Sequence, residues 1–171
     1  MTTEPGGFAG AVIQGGSDMA DITLPDVQNL VARWWFNYDA ADFDVLESLL
    51  TEDTVLKVRT DSGTTDYEEF VRADASGRDA VMAWQRQHRL DSPYPLRHNG
   101  TNIHLVDEDG DDVTFASYIY VSTVESVLPV GLSSAVVTGS VRLVDGEVRL
   151  ASLEITLDMT TSVSYQDVAQ P

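Results

Sequence analysis

The chain has 171 residues, with 10 Lys plus Arg against 28 Asp plus Glu, a formal charge of −18 and no cysteine. A surface this acidic repels phosphate backbones and anionic lipid, which argues against nucleic-acid and membrane partners. Without cysteine there is no disulfide framework, thiolate zinc site, iron–sulfur cluster or thiol nucleophile.

Hydrophobic residues at 43% and charged residues at 22% describe one globular domain rather than a disordered chain. Residues 1–20 hold five glycines and no periodic pattern and read as a flexible leader; residues 161–171 read as a flexible tail, leaving a domain over 21–160. No basic stretch leads into an apolar one, and no apolar run reaches the ~20 residues of a membrane span, so a cytoplasmic protein is expected.

Order is expected to begin at Thr23 as N-cap, with Pro25 in the first helical turn and Asp26 near the positive end of the helix dipole. Val27, Leu30, Val31, Trp34, Trp35 and Tyr38 follow helical spacing. A second short helix is expected from Phe43 to Leu50 and a strand from Thr54 to Thr60, then helical segments at Tyr67–Ala73 and Arg78–Arg89, stopped by Pro93 and Pro95. On the last of these, His88 sits among Gln85, Arg86, Gln87 and Arg89 and reads as solvent-facing.

From Leu96 onward the runs are β-rich: Leu96–Val106 and Val113–Val124 joined through Asp109-Gly110, then Ala135–Val144 and Glu147–Asp158 joined through Asp145-Gly146. Asp-Gly between such runs is a strong hairpin signal. Helices first and an antiparallel meander after them give an α+β layout, in which the sheet covers its apolar face with the helices. A two-residue Asp109-Gly110 loop sets His98 opposite Val121 and Asn102 opposite Ser117. Both then share the face of Phe115, Ile119 and Val121, pointing inward, with Tyr118 and Tyr120 outside. His104, near the hairpin end, reads as a packing residue.

The segment Trp35-Phe36-Asn37-Tyr38-Asp39, running into Asp42 to Leu50 and then Thr51 to Val55, resembles the opening of SnoaL-like proteins of the NTF2-like superfamily. The run Arg97 to Ile103, with the acidic hairpin and Ala116-Ser117-Tyr118 after it, resembles the middle of the same family. The resemblance covers about residues 24–160. It implies a cystatin-like cone: a strongly bent antiparallel sheet wrapped around N-terminal helices, with an internal cavity. The superfamily holds dehydratases, isomerases and polyketide cyclases beside non-catalytic oxygenase β subunits, so fold by itself leaves the function open.

Carried over residue by residue, the resemblance to scytalone dehydratase matches Tyr38, Asp39 and His98 as catalytic residues. Its first-strand tyrosine falls near Arg59, and its second histidine has no equivalent among Tyr118, Ile119 and Tyr120. The base of ketosteroid isomerase falls near Val58, which disfavours that mechanism. An Asp–His pair suits general acid–base work, because histidine titrates near neutrality and a carboxylate fixes its tautomer. Tyr38 would polarise an oxygen and Asn102 add a hydrogen bond; Trp34, Trp35, Ile119 and Val121 are the candidate cavity walls. The expected activity is a cofactor-independent lyase or isomerase on a hydrophobic, oxygenated small molecule. The competing expectation is a non-catalytic ligand-binding or assembly module.

Members of the superfamily commonly dimerise through the sheet, so a homo-oligomer is expected there, with Tyr118 and Tyr120 as contacts. The acidic run Asp107 to Asp112 fits a calcium loop only at its start: Asp112 stands at the sixth position and Tyr118 at the twelfth. It reads as a solvated turn. No metal and no cofactor are expected; phosphate-binding and nucleophile-elbow motifs are missing.

Overall fold

A computed structural model describes residues 22–164 and 166. The expected leader, and most of the expected tail, lie outside these. The elements are α1 (Leu24–Ala40), α2 (Phe43–Ser48), β1 (Leu50–Thr60), α3 (Glu68–Val71), β2 (Ala73–Ser76), α4 (Arg78–Asp91), β3 (Leu96–Asp109), β4 (Asp112–Glu125), β5 (Leu128–Val144) and β6 (Glu147–Leu157).

Helix α1 begins where the residues require it. The Asp26 carboxylate accepts the Thr23 backbone N–H at 2.9 Å and its hydroxyl at 2.5 Å, and Pro25 sits where the missing N–H is harmless. The apolar stripe from Val27 to Tyr38 is buried along its whole length. The helix stops at Ala41, which takes a left-handed φ of 58° and turns its N–H back onto the last turn. Asp42 then caps α2 through the Val45 N–H.

Six strands form one sheet in the order β2-β1-β6-β5-β4-β3. Every pair is antiparallel except β1 with β6, which run parallel, so the sheet is mixed rather than wholly antiparallel. The helices cover its inner face, with α1 packed on β3 and α4 on β1. The α+β fold expected from the sequence is the observed one. Among the described residues no helix is long and apolar enough to cross a membrane.

Strand β1 begins at Leu50 rather than Thr54, taking over the end of the expected second helix, and two further strand features differ from the expectation. The segment Ala73–Ser76 leaves the helix after Val71 and pairs with β1, Val58 opposite Ala73, because an unpaired sheet edge offers its backbone more than another half-turn of helix. Strand β5 begins at Leu128 rather than Ala135, joined to β4 by Ser126 and Val127 at φ 48° and 66°. Neither residue is a usual choice for a turn of positive φ, which is why the hairpin is silent in the sequence.

The register of β3 on β4 places His98 opposite Val121 as expected, by a different route. The turn is Gly110-Asp111, not Asp109-Gly110, since Asp109 pairs with Asp112. Two bulges in β3, near Asn102 and at Val106, restore the register further along. Asn102 itself takes φ 57° and is exposed, so it does not point inward opposite Ser117. Past the bulge the faces exchange: Ile103 packs against the core while His104 is exposed rather than packed.

Gly139 on β5 faces Phe115 across the pair with β4. A Cβ there would stand 2.5 Å from the Ser152 carbonyl oxygen and 2.8 Å from Phe115 Cζ. Gly139→Ala is therefore expected to destabilise the fold by about 1–3 kcal/mol, read as a lower urea midpoint. An unchanged midpoint would mean that β6 and Phe115 move aside freely.

Candidate functional site

Consecutive residues of a helix point about 100° apart. Tyr38 and Asp39, in the last turn of α1, use that divergence to address two different elements. Asp39 turns to β3, where one carboxylate oxygen accepts the His98 backbone N–H at 2.8 Å and the other lies 2.6 Å from His98 Nδ1. With Nδ1–H given to the carboxylate, Nε2 holds the ring's lone pair. Tyr38 turns to α4, where its hydroxyl lies 2.5 Å from His88 Nδ1.

Both histidine rings are held by aromatic surface. His98 stacks on Trp35 at 4.7 Å and 7°, and meets Tyr38 edge-on at 5.2 Å. Gly100, two residues along β3, lets that happen: a Cβ there would come within 3.3 Å of Trp35 Cδ1. His88 stacks on Trp84 at 4.5 Å and 11°, with Phe70 on a tilted face at 4.7 Å. Burial pushes the Tyr38 phenol up, against the pull of the Arg89 charge, so it stays protonated.

Arg89 fixes the end of α1. Its guanidinium is buried and donates to the Tyr38 carbonyl at 3.1 Å, to the Asp39 carbonyl at 2.8 Å and to the Pro93 carbonyl at 3.3 Å. A cation at a helix C-terminus satisfies the last carbonyls and opposes the dipole.

His98, Tyr38 and His88 line one cavity between the helices and the inner face of the sheet. Its walls are mostly apolar, with Trp35, Val58, Phe70, Leu96, Ile119 and Val121 among them. The arrangement offers one histidine nitrogen free to take or give a proton and one phenol able to hold an oxygen, in a mostly apolar site. Among the described residues no group of three or more His, Asp or Glu side chains is placed to hold a metal ion.

A profile described as SnoaL-like domain matches residues 23–154. The chain belongs to the SnoaL-like family. No curated protein matches it. Solved structures similar to this SnoaL-like chain include ActVI-ORFA from Streptomyces coelicolor, at 21% identity and TM-score 0.65 over 80% of this chain and 97% of that one. A second is described as the β subunit of an aromatic-ring-hydroxylating dioxygenase from Novosphingobium aromaticivorans, at 14% identity and TM-score 0.64 over 83% and 93%. A third is a protein of Catenulispora acidiphila in complex with S-DNPA, at 23% identity and TM-score 0.62 over 85% and 96%.

The structure brings Asp39, His98 and Tyr38 together and sets Trp35, Ile119 and Val121 in the cavity wall. Trp34 is buried in the core and is not a wall residue, because its position on α1 faces the packed interior one residue away from Trp35. Asn102 stands outside, turned away by the bulge. His88 is the residue the sequence concealed: it is half-buried in the site rather than solvent-facing. The signal was present, since Val81, Met82, Gln85 and Arg89 form one buried stripe and His88 falls on it.

Burial pushes His88 down to about 4, with the charges of His98 and Arg89 adding to the effect and Asp91 opposing it. Unfolded, the ring takes a proton below its ordinary value of 6.5; folded, it stays neutral to about 4, so the unfolded chain binds more protons in between. Stability is therefore expected to fall as pH drops through that window, with His88 contributing up to ~1.4 kcal/mol per pH unit. His88→Gln should flatten this part of the dependence in urea titrations across the window. Identical slopes for the two proteins would mean that His88 is not held neutral.

Proposed function

We propose that this SnoaL-like chain is a cofactor-independent lyase or isomerase, dehydratase- or cyclase-like, acting on a hydrophobic, oxygenated small molecule. The observation that carries the reading is the Asp39–His98 pair, 2.6 Å apart, with His98 lining a mostly apolar cavity. His98 Nε2 removes a proton from carbon next to a carbonyl, and Tyr38 donates to the carbonyl oxygen as charge gathers there. The Asp39 carboxylate stabilises the imidazolium that results. The electron pair of the broken C–H bond forms the new double bond as the C–O bond to a neighbouring hydroxyl breaks. His98 returns its proton to that hydroxyl, which leaves as water. In an isomerisation the same proton returns to a different carbon.

Support also comes from the neighbour crystallised with S-DNPA, whose shared fold holds a small molecule. A second reading, a non-catalytic subunit, is favoured by the dioxygenase β subunit among the neighbours and by Tyr118, Tyr120 and Val136, exposed together on the outer face of the sheet. Under it that face meets a partner chain, a second copy included.

Cyclic β-hydroxy ketones, such as 3-hydroxy-1-tetralone, test the leading reading. The wild-type chain is expected to release water from the ketone, followed by absorbance, and His98→Ala to lower the rate about 10²–10⁴-fold while keeping the native circular dichroism. Equal rates in the two proteins, or no turnover and no deuterium exchange beside the carbonyl across the series, would sink it in favour of the subunit reading.

A further inference from the structure

The segment around α3 brings to the cavity a hydroxyl that the mechanism does not use. Tyr67, the residue before α3, lines the cavity and is half-buried. Phe70 lines it too while 38% exposed, so α3 stands where the cavity meets solvent. Hydrogen bonds fix the segment in place. The buried Glu68 carboxylate accepts the Thr60 N–H at 2.9 Å and an Arg72 guanidinium N–H at 3.1 Å. Trp84 Nε1 donates to the Arg72 carbonyl at 3.0 Å, and the Tyr67 ring rests against that of Phe70, 5.6 Å away.

Most polar groups of the wall are committed to protein. Tyr38 meets His88 Nδ1, His98 Nδ1 meets Asp39, and Ser92 donates to the His88 carbonyl at 2.6 Å. The Tyr67 hydroxyl is not: burial alone raises its pKa, with no hydrogen bond or charge among the described residues set against it. Nor is it enclosed, in contrast to Gln85 Oε1 and His88 Nε2. Burial is the main cause of the raised Tyr38 pKa and the Tyr67 phenol adds to it, so the two hydroxyls stand within electrostatic reach across one cavity. A phenol tied to a histidine has one proton for two partners, whereas Tyr67 keeps its proton and its lone pairs free. A bond from Tyr67 to a ligand therefore takes nothing from the proton that Tyr38 supplies in the mechanism.

We infer that Tyr67 is a ligand-binding residue whose phenol donates to a second oxygen of the ligand, at the end of the cavity formed by α3. The ligand is then an apolar ring compound with one oxygen function at Tyr38 and His98 and another carried toward the mouth. This rests on the reading of the cavity as a site for an oxygenated apolar molecule.

Isothermal titration calorimetry of the full chain with 1-tetralone and its 5-, 6- and 7-hydroxy derivatives varies the position of that second oxygen. At least one hydroxytetralone is expected to bind about tenfold more tightly than 1-tetralone, the gain of one well-made hydrogen bond. Tyr67→Phe, which removes only the hydroxyl, should erase that preference and leave 1-tetralone affinity within about twofold. Its urea midpoint should equal that of the wild-type chain, because the hydroxyl has no protein partner to lose. Tetralone binding with no such preference, or a preference that survives Tyr67→Phe, overturns the assignment and leaves the cavity reading standing. So does a loss shared equally by 1-tetralone, which makes Tyr67 a partner of the carbonyl, or a lowered urea midpoint, which makes its hydroxyl part of the fold. Binding of no member of the set overturns both.

Discussion

The end of α1 is the point on which the rest of the site depends. Three elements meet there through charge-assisted hydrogen bonds: the Asp39 carboxylate reaches β3, and the Arg89 guanidinium of α4 takes the carbonyls of Tyr38 and Asp39. Bonds of this kind contribute about 1.5–3 kcal/mol each when shielded from water. Their geometric effect matters as much. Because the carboxylate holds both the backbone N–H and the ring of His98, rotation of the ring and sliding of β3 against α1 break the same pair of bonds. Arg89 does the corresponding work for Tyr38 and His88, since it ties α4 to α1 one residue beyond the histidine. The positions of both histidines are thus consequences of one helix terminus.

The polar atoms in and around the apolar cavity are of unequal standing. Asp39, Arg89 and Trp84 are satisfied by protein partners, whereas Gln85 Oε1 and His88 Nε2 are not. A buried polar atom left without a partner costs about 1–3 kcal/mol. Trp34 Nε1 and Ser117 Oγ carry that cost in the packed core, where no ligand approaches. Gln85 and His88 belong to the cavity wall, although the unpartnered atoms themselves are as enclosed as those of the core. Local conflicts of this kind gather at functional sites, where stability is given up for chemistry.

Much of the frame was legible because its signals are local. Thr23, Pro25 and Asp26 mark a helix start, the α1 stripe repeats with helical period, and Asp145-Gly146 takes the positive φ values of 53° and 81° that its turn needs. The Asp39–His98 pairing came from resemblance and register together, and it survived a misplaced turn only because two bulges compensated. Non-local choices were not legible. Nothing in Ser126-Val127 announces a hairpin, β2 exists because β1 has a free edge, and the bulge that expels Asn102 follows from pairing along β4. Gln85 and His88 were misread for a related reason. Polar residues on a helix are assigned to water unless the apolar stripe is followed through them, and here Val81 and Met82 point straight along it.

Charge carries the selectivity argument one step further. The chain holds −18 overall, and Arg89, at the end of α4, is consumed by backbone carbonyls. A carboxylate or phosphate approaching the mouth meets an unfavourable field and finds no free guanidinium or ammonium among the wall residues described. A neutral molecule meets neither difficulty, because apolar burial and hydrogen bonds to Tyr38 and His98 are insensitive to the net charge. In the proposed mechanism the His98 imidazolium would gain from the same field and from Asp39 beside it. On the proposed reading, an acidic chain around a mostly apolar cavity therefore suits a neutral molecule better than an anion.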